Sequence, residues 1–106
     1  MTGERLYTIE AIESAVEIAT DLDIDVLVKD KSHKAKYTKP RKAMFYFMIR
    51  CGYSRKALAD HYGVGPGAVY HKREEVTNIS DPTIRRIIYD IEQILKDEQS
   101  ITTNHD

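Results

Sequence analysis

Along the chain, apolar positions recur mostly at three- and four-residue steps. In "TIEAIESAVEIA", Ile9, Ile12, Val16 and Ala19 fall on one side of a helix, with acids on the other. Thr8 suits its N-cap, and Glu10 and Glu13 suit its positive start. "DIDVLV" follows, with Asp23 or Asp25 as the cap of a short helical turn, although its β-branched residues also allow a strand. Residues 29–42, "KDKSHKAKYTKPRK", are nearly devoid of apolar residues and read as a loop or arm. Pro40 then suits the first turn of a helix over about 41–51, closed by Gly52. Met44, Phe45, Phe47, Met48 and Ile49 leave little of that helix polar, which makes it the central core element. In "SDPTIRRIIYDIEQILKDEQ", Ser80 or Asp81 caps, Pro82 takes the first turn, and Ile84, Ile87, Ile88, Ile91, Ile94 and Leu95 form one stripe expected to face the core, with a dimer seam as the alternative. The tail, 100–106, is expected to fray.

Between these elements, "RKALADHYGVGPGAVYHKR" (55–73) has the spacing of a helix-turn-helix. Ala59 is the small residue where two helices would cross, and Gly63 supplies the positive φ of the turn. Leu58, Tyr62, Val64 and Val69 take the inward positions. The second helix is expected from Gly65 and Pro66 to about Val76, its N-terminal end toward a major groove. That end, Gly65, Pro66, Gly67 and Ala68, has no side-chain donor or acceptor for a base edge. Readout then falls to Tyr70, His71, Lys72 and Arg73, or to backbone and apolar contacts. "GVGPG" lacks the preceding strand and third glycine of a dinucleotide loop, and no phosphate-binding lysine motif is present. The expected fold is all-α: one helical-bundle domain over residues 1–106 with a central helix-turn-helix.

Charge sharpens this picture. The net charge of −1 hides three blocks: −6 over residues 1–28, +10 over 29–73 and −5 over 74–106. A block that basic between acidic flanks is an electrostatic footprint for phosphate. Cys51 is the one cysteine, so no internal disulfide forms, and it reads as a small core residue. No apolar run is long enough to cross a bilayer, and "MTGERLYTIE" has no basic-then-apolar leader. The expectation is a cytoplasmic protein and a whole gene product, with no membrane partner.

The order of these motifs resembles the C-terminal DNA-binding domain (domain IV) of the bacterial replication initiator DnaA, in the Trp-repressor-like helix-turn-helix superfamily. The resemblance runs from about Tyr7 to Leu95 through "YTIEAIESAVEIATDLDIDVLVKDKS", "KPRKAMFYFMIR", "YSRKALADHYG" and "VYH". It implies a basic loop in a minor groove, here 29–39 with His33, Lys34 and Lys36 nearest the tip. It implies phosphate contact by Arg41 with Lys42 beside it, and a recognition helix from Pro66 to Val76 in the next major groove. Where the family has Arg-Asp-His-Thr-Thr at the start of that helix, this chain has "GPGA" and is one residue shorter. The basic loop carries lysines and His33 where the family is mostly arginine, and the family's ATPase domain is absent.

The leading expectation is a stand-alone protein that binds double-stranded DNA with some sequence preference, in replication or transcription control, for instance of a phage or mobile element. Lys34, Lys36, Lys39, Arg41, Lys42, Arg55 and Lys56 would supply phosphate contacts. The alternative is a protein-interaction module that engages or mimics a replication protein without reading DNA. An enzyme is not expected. His33, His61, His71 and His105 have no Cys or His partner at ligand spacing, and adjacent Asp60 and His61 point to different helix faces. No cofactor, metal or small-molecule substrate is expected, and oligomeric state is not specified.

Overall fold

The computed structural model describes residues 7–29, 35–64 and 80–103. Within them the chain is all-α, in five helices: α1 (Ile9–Thr20), α2 (Ile24–Lys29), α3 (Ala35–Arg50), α4 (Arg55–Tyr62) and α5 (Pro82–Thr103). The caps are local and explain the boundaries. The Thr8 hydroxyl accepts from Ala11 N–H at 3.1 Å, and the Ser54 hydroxyl accepts from Ala57 N–H at 3.0 Å. Asp23, one of the two expected caps, accepts from Asp25 N–H at 2.8 Å, which settles "DIDVLV" as helix. Asp81 accepts from Thr83 N–H at 2.8 Å and Ile84 N–H at 3.1 Å, with Pro82 at the first helical position.

Helices α3 and α4 end in the same way. Beyond α3, Gly52 at φ 108° donates to Ile49 O and Tyr53 N–H reaches back to Met48 O. Beyond α4, Gly63 at φ 66° donates to Asp60 O and Val64 N–H reaches Ala59 O. Both are Schellman closures, in which a residue without a Cβ takes the left-handed position. Gly63 thus has the positive φ expected of it. The helix expected after it lies outside the described residues.

Helix α3 is the centre. Ala43, Met44, Phe45, Tyr46, Phe47 and Met48 are all buried, so every side of this stretch meets protein. Full burial of a side chain such as Phe45 stabilises by about 1.5–3 kcal/mol. Helix α5 packs on both α1 and α3, through Ile84, Ile88, Ile91 and Leu95, with Ile87 and Ile94 at the margin. Ile12, Ala15 and Val16 face them from α1, and Leu27 from α2. Leu58 and Ala59 bring α4 onto the same core. Tyr7 stacks on Phe47, centroids 6.1 Å apart, and its carbonyl accepts from Tyr53 Oη at 2.8 Å, which fixes the entry to α1. Cys51 is buried, and burial pushes its thiol up, away from the reactive thiolate.

Two boundaries differ from expectation. The basic segment 29–39 is not one loop: α2 runs through Lys29 and α3 begins at Ala35. Ala, Lys and Tyr are adequate helix formers, so a polar composition did not mean a loop. Pro40 accordingly sits inside α3 rather than in its first turn. It is buried, and it withholds from Lys36 O the amide donor that any other residue would offer. At the other end, α5 continues to Thr103, past the point where fraying was expected. Among the described residues no helix is long and apolar enough to cross a membrane.

Candidate nucleic-acid interface

The first turns of the helices fall into two classes. Helices α1 and α2 carry an acid there, Glu10 and Asp25, as the positive end of a helix dipole favours. Helices α3, α4 and α5 carry none, although at α5 the capping Asp81 supplies a carboxylate and Arg85 follows in the first turn. The first turns of α3 and α4 hold bases without such an acid cap: Lys36 on α3, Arg55 and Lys56 on α4, all exposed. Further along α3, Lys39 is partly buried and Lys42 exposed. Lys36, Lys39 and Lys42 follow at three-residue steps, so each neighbours the next on the helix surface.

The bases expected to meet phosphate are committed to different degrees. Lys36 lies with its ammonium 5.0 Å from the Tyr37 ring centroid, an interaction that leaves its charge in solvent. Lys39 pairs with Asp81 at 3.1 Å, which joins the starts of α3 and α5. Arg41, expected to contact phosphate, is also tied within the fold. Its Nε donates to Leu27 O across the α2–α3 junction, where a part-buried guanidinium satisfies a carbonyl near the end of α2. Arg41 therefore positions α3 against α2. His33, Lys34, Gly65, Pro66, Gly67, Tyr70, His71, Lys72 and Arg73 lie outside the described residues.

Helix α4 is held in place from its far end. Tyr62 Oη donates to Glu13 Oε2 at 2.7 Å, its ring meets Phe45 edge-on at 5.9 Å, and the exposed His61 ring lies edge-on to it at 4.7 Å. Burial, then the Glu13 hydrogen bond and the charges of Glu13 and Glu10, hold the Tyr62 phenol well above the ordinary tyrosine range. The hydroxyl is therefore a donor at any physiological pH. The same tyrosine borders an open groove of about 660 Å³ whose acidic wall includes Glu10, Glu13, Glu17, Asp23 and Asp25. A polyanion is repelled there, so charge alone separates this groove from the basic helix starts.

Neither the Tyr62–Glu13 bond nor the two cross-links of Arg41 and Lys39 was signalled by sequence, because each joins residues far apart in the chain. Among the described residues no group of three or more His, Cys, Asp or Glu side chains is placed to hold a metal ion. Compared with known proteins, the chain matches no family model, no curated sequence and no solved structure.

Proposed function

We propose that this chain binds double-stranded DNA through a helix-turn-helix whose first helix is α4, with α3 supplying a second set of phosphate contacts. The observation that carries the reading is the inversion of charge at the helix starts. Bases occupy the first turns of α3 and α4, where acids are the favoured residues. A cation at a helix N-terminus costs on the order of 0.3–1 kcal/mol, a cost that a bound phosphate reverses. Lys36, Lys42, Arg55 and Lys56 are the exposed bases of this surface. Arg41 acts by holding α3 to α2.

The resemblance to the replication initiator's DNA-binding domain supports the same reading and suggests a role in replication or transcription control. Because "GPGA" offers no base-reading side chain, affinity in this proposal is mostly electrostatic and sequence preference modest. The same feature favours the second reading, a protein-interaction module.

The test is fluorescence anisotropy with an initiator-box duplex and a scrambled duplex, at low and at physiological salt. DNA binding predicts an affinity that falls steeply with salt, with a small gap between the two duplexes. No binding to either at low salt would exclude the proposal and leave the interaction module.

A further inference from the structure

We propose that Asp81 holds Lys39 as an internal substitute for phosphate, so that duplex DNA binds in part by displacing it. The inference rests on the DNA-binding reading and adds a control on that surface. The Asp81 carboxylate divides its work between its oxygens. Oδ1 accepts from the Thr83 and Ile84 amides and caps α5, while Oδ2 meets the Lys39 ammonium at 3.1 Å. Lys39 can leave without undoing the cap. Asp81 therefore stays in place, ready to take the lysine back.

The pair is also weak enough to exchange. Its side chains are 37% and 33% exposed, and water reaches both charges. A surface pair of this kind shifts an equilibrium by only about 1.5- to 5-fold. DNA phosphates next to Lys36 and Lys42 offer more, because neutralising them releases condensed counterions. The Ile84 amide first, and then Lys39, hold the Asp81 carboxyl below the usual carboxylate range, so it is ionised at neutral pH. Arg41 makes the contrast, since its bond to Leu27 O is part-buried and ties two helices together. Lys39 is thus an α3 base whose availability an acid sets.

The experiment is a double-mutant cycle of wild type, Asp81→Asn, Lys39→Gln and the double variant, titrated against one labelled duplex at low and physiological salt. Asparagine keeps the helix cap while removing the charge. Asp81→Ser, which also caps, serves if Asp81→Asn does not fold. Removing Asp81's charge is expected to tighten binding about two- to fivefold with Lys39 present. In the Lys39→Gln background the gain should shrink to less than half on a logarithmic scale. Equal gains in both backgrounds would make Asp81 a general negative charge and overturn the inference alone, as would no gain in either. Absence of binding by all four proteins at low salt would overturn the DNA reading and this inference with it.

Discussion

Tyr62 shows how much one side chain can carry. Its ring fills space against Phe45, its hydroxyl binds α1 through Glu13, and the next residue is the glycine that turns the chain out of α4. Replacing it with phenylalanine keeps the ring and leaves Glu13 to water, at a cost of about 1 kcal/mol. The pH dependence is more diagnostic. The folded phenol keeps its proton above the ordinary value of 10.0, whereas in the unfolded chain it ionises there. Its contribution to stability is thus complete below about pH 10 and is lost as pH rises beyond it. Tyr62→Phe should flatten the loss of stability between about pH 10 and 11 in urea unfolding, leaving the part due to Tyr7 and Cys51, whose phenol and thiol burial also raises. An alkaline loss identical in the two proteins would show that Tyr62 is not the group responsible.

At the level of elements, what the sequence revealed was local. Caps and closures need only a few consecutive residues, so Thr8, Gly52, Pro82 and Gly63 were legible, as was the isoleucine stripe of α5. The start of α3 was not, because "AKYTK" has a loop's polarity while its helix is held by packing further along, at Ala43 to Met48. The candidate interface was legible in composition and not in geometry. The basic block pointed to phosphate, yet two of its members, Lys39 and Arg41, are engaged by residues that sequence spacing could not bring near. Gly63 provides a test of the closures. A Cβ there would meet nothing within 4 Å, so only the left-handed backbone penalises a side chain. Gly63→Ala should cost about 1–2 kcal/mol, and Gly63→Asn clearly less, because asparagine tolerates that region. Equal denaturant midpoints for the two variants would mean that the turn relaxes to another conformation.

At the scale of the whole molecule, the buried core and the exposed bases proposed to meet phosphate use different side chains. The core joins α1, α3 and α5 through Ile12, Phe45, Met48 and Ile91, whereas the exposed bases lie on the N-terminal half of α3 and at the start of α4. Two substitutions should therefore fail in opposite ways. Ile91 is fully buried on α5, and Ile91→Ala should cost about 2–5 kcal/mol and lower the melting temperature by on the order of 10–20 °C. Well below that temperature its DNA affinity should match wild type. Lys42→Ala with Lys56→Ala should leave the melting temperature nearly unchanged, since both side chains are exposed and Lys56 leaves the positive end of α4. That variant should bind initiator-box and scrambled duplexes equally less well. The slope of log affinity against log salt should fall by about 0.9 for each phosphate that is no longer neutralised. Calorimetry and salt-dependent anisotropy on the same three proteins separate the cases. A slope unchanged by the lysine pair would show that Lys42 on α3 and Lys56 at the start of α4 are not where phosphate is met. The binding would then have to come from elsewhere in the basic block.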